Sequence, residues 1–163
     1  DVGGIKRVQL FRELLVQRLD REVDLAFIEK RRAEGVVSGG TLVGMTSDRP
    51  TVIVLDDLCA TGGTLIRAAA ICRDAGAAAV HVAVTHVPLA SGVQAVMSSE
   101  AIAAIVTTDS VGMGVHRYAP SAAAGDKLVM LSIGPLFGQA VRRMLAGKPL
   151  APLLRRWPLA PDE

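Results

Sequence analysis

The apolar run from Thr51 to Leu55 stops at two consecutive aspartates, Asp56 and Asp57, and the chain then turns through Thr61-Gly62-Gly63-Thr64 into a helical pattern. A strand with no polar face has to be covered on both sides, so this run belongs inside a sheet. Other segments repeat the theme. Val80 to Val84, Ile102 to Thr107 and Leu128 to Ile133 read as further strands. Thr64 to Ala75, Ser91 to Ser99 and Leu136 to Leu145 read as helices, with Gly76 and Gly147 standing where helices stop. Strands alternating with helices predict a doubly wound α/β fold, a mostly parallel sheet with helices on both faces, because each crossover helix must pack back onto the sheet.

Upstream of this core, Ile5, Val8, Phe11, Leu15 and Leu19 recur at helical spacing between charged residues, which predicts an amphipathic helix. Val23 to Ile28 reads as a short strand. It ends in Glu29-Lys30-Arg31-Arg32, and the glycine- and serine-containing stretch that follows, to Gly40, reads as a mobile loop. With 163 residues, half of them apolar, the chain has material for one core, and we expect one domain over residues 1–147 and a Pro- and Leu-rich tail over 148–163. The chain opens on Asp1 and a Gly3-Gly4 turn signal of the kind that follows a strand, so a preceding strand and further upstream sequence are expected.

The formal charge is only +2 and the basic residues are interspersed with acidic ones, so nucleic acid is not the expected partner. No uninterrupted apolar stretch approaches the ~18 residues of a membrane span. Cys59 and Cys72 form neither a CxxC pair nor a zinc-ligand spacing, and read as reduced thiols of a cytoplasmic protein.

The turn after Asp57 carries chemistry at each position. Glycines let backbone N–H groups approach an anion closely, the starting helix contributes its positive end, and the hydroxyls of Thr61 and Thr64 add donors. Such a turn cradles a phosphate. Asp56 and Asp57 lie at the carboxyl end of a strand, where open α/β sheets bind ligands, and carboxylates there accept hydrogen bonds from vicinal sugar hydroxyls. The plainer alternative is that both acids only cap the turn. Lys30 and Arg32 read either as a solvated cluster or as cations that a lid delivers to a phosphoryl group. His86 ends a strand at the same edge, where a structural, hydrogen-bonded histidine fits as well as a functional one. His81 and His116 have no partner pattern.

Val54 to Thr64 resembles the phosphoribosyl-diphosphate-binding motif of type I phosphoribosyltransferases. More of the chain points to one branch. Asp1-Val2-Gly3-Gly4-Ile5-Lys6-Arg7, Ile28-Glu29-Lys30-Arg31-Arg32, Thr85-His86, Ser91-Gly92 and Val106-Thr107-Thr108 resemble, in that order, the C-terminal half of ribose-phosphate diphosphokinase. Ser132 to Arg143 is similar to its closing strand and helix.

The resemblance implies transfer of diphosphate from ATP to the anomeric hydroxyl of ribose 5-phosphate, giving phosphoribosyl diphosphate and AMP with magnesium present. It places Asp56, Asp57, Ala60, Thr61, Gly62, Gly63 and Thr64 on the sugar phosphate, and Lys30 and Arg32 on the transferring group. Asp1 matches an acid that helps hold magnesium, although a first residue also fits an inert terminus. A homo-oligomer is implied too. Ala60 departs from the aspartate often found before the threonine, which backbone binding of phosphate tolerates. The family's N-terminal half, which supplies much of the ATP pocket, has no counterpart here, so this chain alone is expected to bind the sugar phosphate but not to synthesise the product. Two other functions remain open. A phosphoribosyltransferase would consume phosphoribosyl diphosphate with a base, and a non-catalytic regulatory homologue would keep the fold without turnover.

Overall fold

The computed structural model describes residues 2–33, 36–111 and 127–154. Helix α1 spans Val2–Leu19, and strands β1 (Phe27–Ala33) and β2 (Val36–Val43) follow it. Then come β3 (Thr51–Leu58), α2 (Gly63–Asp74), β4 (Ala79–His86), α3 (Ala90–Ser98), β5 (Ala104–Thr108), β6 (Leu128–Leu131) and α4 (Gly134–Leu145). A short 3-10 turn occupies Ala151–Leu154. The main sheet has four strands in the order β3-β4-β5-β6, all parallel, flanked by helices as the alternation of elements predicts. Helix ends obey local chemistry: Gly76 at φ 97° and Gly147 at φ 65° adopt the left-handed conformation that closes α2 and α4.

Register assigns each side chain to a face. Val54 pairs with Val82 and Val82 with Ile105, so Val80, Val82, Val84 and Ile105 line one side of the sheet. That side is the core. Leu65, Ala69 and Cys72 of α2 and Val93 and Val96 of α3 pack into the same buried cluster, with Val80, Val82, Val93, Val96 and Ile105 fully shielded from solvent. The two helices also touch one another. The firm side of the sheet is thus the one beneath α2 and α3.

One expectation needs correction. The stretch read as a strand over Val23–Ile28 followed by a mobile loop forms a two-stranded antiparallel hairpin, with Lys30, Arg31 and Arg32 inside β1 and Val36 to Val43 in β2. Physically, Val36, Val37, Leu42 and Val43 supply the β-prone residues that the intervening Ser38-Gly39-Gly40 conceals. The pairing sets Lys30 against Gly40 and Arg31 against Gly39, and its register shifts between Arg31 and Arg32. The shift leaves Ser38 of β2 without a partner in the ladder. Helix α1 also begins earlier than predicted, taking Gly3 and Gly4 into its first turn.

Candidate active site at the carboxyl edge of the sheet

β3 carries its apolar residues through the sheet and releases Asp56 and Asp57 at its carboxyl end, where the chain must leave the ladder. Asp56 Oδ1 accepts a hydrogen bond from the Asp57 backbone N–H at 2.9 Å, which fixes the turn. Asp57 is exposed, and its Oδ2 accepts from Arg7 Nη2 of α1 at 3.1 Å. Hydrogen bonding with the Asp56 side chain, and then the Arg7 charge, hold the Asp57 carboxyl below its ordinary range. Asp57 is therefore presented as an anionic acceptor.

After Leu58 the chain drops into the core at Cys59, which is buried, and its backbone N–H donates to His86 O at 2.8 Å. Burial and the neighbouring Asp56 charge raise the Cys59 thiol, offset to a degree by a hydrogen bond from the Gly62 backbone. It is an anchor, kept neutral. The loop then passes Ala60 and exposed Thr61 and reaches Gly62 at φ 81° and ψ −14°, a left-handed conformation that opens α2 at Gly63. No side chain caps this helix start. The amides of its first turn have no carbonyl one turn back to bond, so they and the dipole are available to an anion. Gly62, Gly63, Thr61 and Thr64 thus stand together at one helix N-terminus, one turn from Asp56 and Asp57.

Two arginines at this edge were not singled out from sequence. Arg7 is fifty positions from Asp57, a separation that no local pattern exposes. Arg67 lies one helical turn beyond Gly63, and its Nη1 stands 3.4 Å from where a Gly63 side chain would begin. Side chains on a helix lean toward its N-terminus, which is the signal that would have found it. Both bring positive charge to the rim of the loop.

His86 is not free at the edge. Its Nδ1 lies 2.7 Å from Ser110 Oγ, and Thr108 Oγ1 donates to Thr85 O at 2.7 Å, so the ends of β4 and β5 are laced together. Asp109 does the same for β5 and β6, accepting from Ser132 Oγ at 2.7 Å and from the Ile133 N–H at 2.8 Å where α4 begins. Lys30 and Arg32 have a described backbone in β1. Asp1 and His116 lie outside the described residues, as do residues 155–163 of the expected tail.

Removing the Arg7 cation has a defined electrostatic consequence. In Arg7→Ala the Asp57 pKa is expected to rise toward the ordinary aspartate value without reaching it, because the larger cause, Asp56, remains. Carboxyl-detected NMR titration of the two proteins measures this directly. An unchanged Asp57 titration would mean that the ion pair does not persist in solution.

Among the described residues no helix is long and apolar enough to cross a membrane, and no cluster of three or more His, Cys, Asp or Glu side chains is poised to hold a metal by itself. The family model of the phosphoribosyl synthetase-associated domain matches residues 27–155. A ribose-phosphate pyrophosphokinase of Maricaulis maris is 34% identical over 145 residues, covering 88% of this chain and 43% of the relative. That of Hyphomonas neptunium is 33% identical over 156 residues, 96% of this chain and 47% of the relative. The chain thus spans less than half the length of the curated relatives it matches. Among solved structures, phosphoribosylpyrophosphate synthetase from Mycobacterium smegmatis superposes with a TM-score of 0.62 at 26% identity, over 83% of this chain and 42% of that one.

Proposed function

Because the chain belongs to the phosphoribosyl synthetase-associated domain family, we propose that it forms the ribose-5-phosphate-binding portion of a ribose-phosphate diphosphokinase. The observation that carries this reading is the β3 edge, where two carboxylates stand beside an uncapped helix start reached through a left-handed glycine. The 5-phosphate sits on the amides of 61–64 with the Thr61 and Thr64 hydroxyls, and Ala60 contributes backbone alone. Asp56 and Asp57 accept hydrogen bonds from the ribose hydroxyls and so turn the anomeric oxygen toward the second substrate, ATP. Lys30 and Arg32 meet the negative charge that develops on the transferring diphosphoryl oxygens. AMP leaves and phosphoribosyl diphosphate remains.

Magnesium is the metal this chemistry calls for, and the residues present fit it. Mg²⁺ binds through one or two carboxylates together with substrate phosphates instead of an all-protein cage. The exposed oxygens of Asp57, with Asp1 as a further candidate ligand, are donors of that kind. When bound, the ion would neutralise charge on the diphosphate. Function in a homo-oligomer in the cytoplasm accords with this reading.

Titration calorimetry of the protein with ribose 5-phosphate tests the core of the proposal. Saturable binding that is lost with unphosphorylated ribose is expected. Absence of binding would sink it. Release of diphosphate from phosphoribosyl diphosphate that depends on an added base, without ATP, would instead establish a phosphoribosyltransferase.

A further inference from the structure

The phosphate loop rests on bare backbone. A Cβ placed on Gly92, in the first turn of α3, would stand 2.4 Å from the Ala60 carbonyl oxygen, 3.0 Å from the Ala60 carbonyl carbon and 3.1 Å from the Cys59 carbonyl oxygen. Main-chain atoms cannot swing aside as the end of a flexible side chain can. The contact is reciprocal, since a Cβ on Gly62 would lie 3.0 Å from Gly92 O and 3.0 Å from Val96 Cγ2. Neither element has room to retreat. Val93 and Val96 hold the underside of α3 in the core, and Cys59 is itself buried with its N–H bonded to His86 O at 2.8 Å. Gly92 N–H in turn donates to Leu89 O at 3.1 Å, which fixes the entry into α3. Residues 86–92 therefore form a seat for the loop, bonded to it at one end and pressed against it at the other.

We propose that Gly92 is a positioning residue: its lack of a side chain sets the height at which the amides of 61–64 face their anion. It touches no substrate and acts through Ala60. That the anion is the phosphate of ribose 5-phosphate rests on the function proposed above. The loop's placement on the seat does not. Ordinary contact begins near 3.4 Å, so a methyl group at a 2.4 Å position forces a displacement of about 1 Å, the scale at which misplacement of binding groups costs on the order of a hundredfold in rate.

The test compares Gly92→Ala with Gly138→Ala, a glycine inside α4 whose added Cβ meets nothing within 4 Å, and reads two quantities under conditions where every variant is folded. One is ribose 5-phosphate affinity by calorimetry. The other is hydrogen exchange at the bonded amides that flank the loop, Cys59 N–H on His86 O and Ile66 N–H on Gly62 O, relative to those of β3 and β4. Gly92→Ala is expected to lose at least tenfold in affinity and to exchange faster at the Cys59 and Ile66 amides alone, while Gly138→Ala matches the unaltered protein. Unchanged affinity and exchange in Gly92→Ala would overturn the inference, as would exchange raised equally across β3 and β4, the mark of a general loss of stability. Should the unaltered protein bind no ribose 5-phosphate, the functional reading falls, and the exchange comparison still decides whether Gly92 positions the loop.

Discussion

Asp56→Asn combined with Asp57→Asn is expected to abolish measurable ribose 5-phosphate binding while leaving the thermal midpoint of the protein essentially unchanged. The two carboxylates project from the tip of β3, with Asp57 exposed, so the core beneath α2 and α3 does not depend on them. What they supply is acceptor charge. Asparagine keeps the shape but turns half of each acceptor into a donor, which cannot receive a sugar hydroxyl and which also leaves Arg7 without its anionic partner. Hydrogen bonds to ionised groups are the stronger class, and losing two together corresponds to a drop on the order of a hundredfold or more. Calorimetry on the double variant measures it. Normal affinity with normal melting would leave the acids as caps of the turn.

Lys30→Ala and Arg32→Ala should each lower turnover far more than substrate binding in an assay of AMP release. Cations that meet charge only as it develops contribute to the barrier and little to the ground state. Losing one such contact typically costs ~2–4 kcal/mol, or roughly two to three orders of magnitude. Both residues lie on one strand, β1, of the hairpin. Lys30 and Arg31 pair with Gly40 and Gly39 across the ladder, and Arg32 with Val37. If both variants retain near-normal turnover, the cations are not catalytic and a regulatory role for the fold gains ground.

The features of this architecture that could be read from sequence are those dictated by short-range patterns. α2, α3 and α4 lie within two residues of their predicted starts and one of their predicted ends, because apolar periodicity and the stop glycines are local signals. The Asp-Asp and Thr-Gly-Gly-Thr elements were likewise legible as a strand tip and a helix start. The hairpin was hidden, since a charge cluster and a Gly-Gly pair mask the alternation of β1 and β2, and strand identity there is conferred by pairing. Arg7 and Gly92 show a second kind of blindness. Arg7 could be quoted within a motif and Gly92 within Ser91-Gly92, but what each touches is settled only when α1 and α3 pack against the end of β3.

The order of strands in the main sheet, β3-β4-β5-β6, is also their order along the chain. This has a consequence for how the molecule is made. Each new strand docks on the outer edge of the one before it, so no finished pair has to be prised apart to admit a latecomer. A chain emerging from its N-terminal end at ~5–20 residues per second can complete β3, α2 and β4 while β6 is still unsynthesised. The phosphate loop lies in that first unit, so its glycines are placed on β3 and α2 before the far edge of the sheet exists, and α3 arrives next to close the seat beneath them.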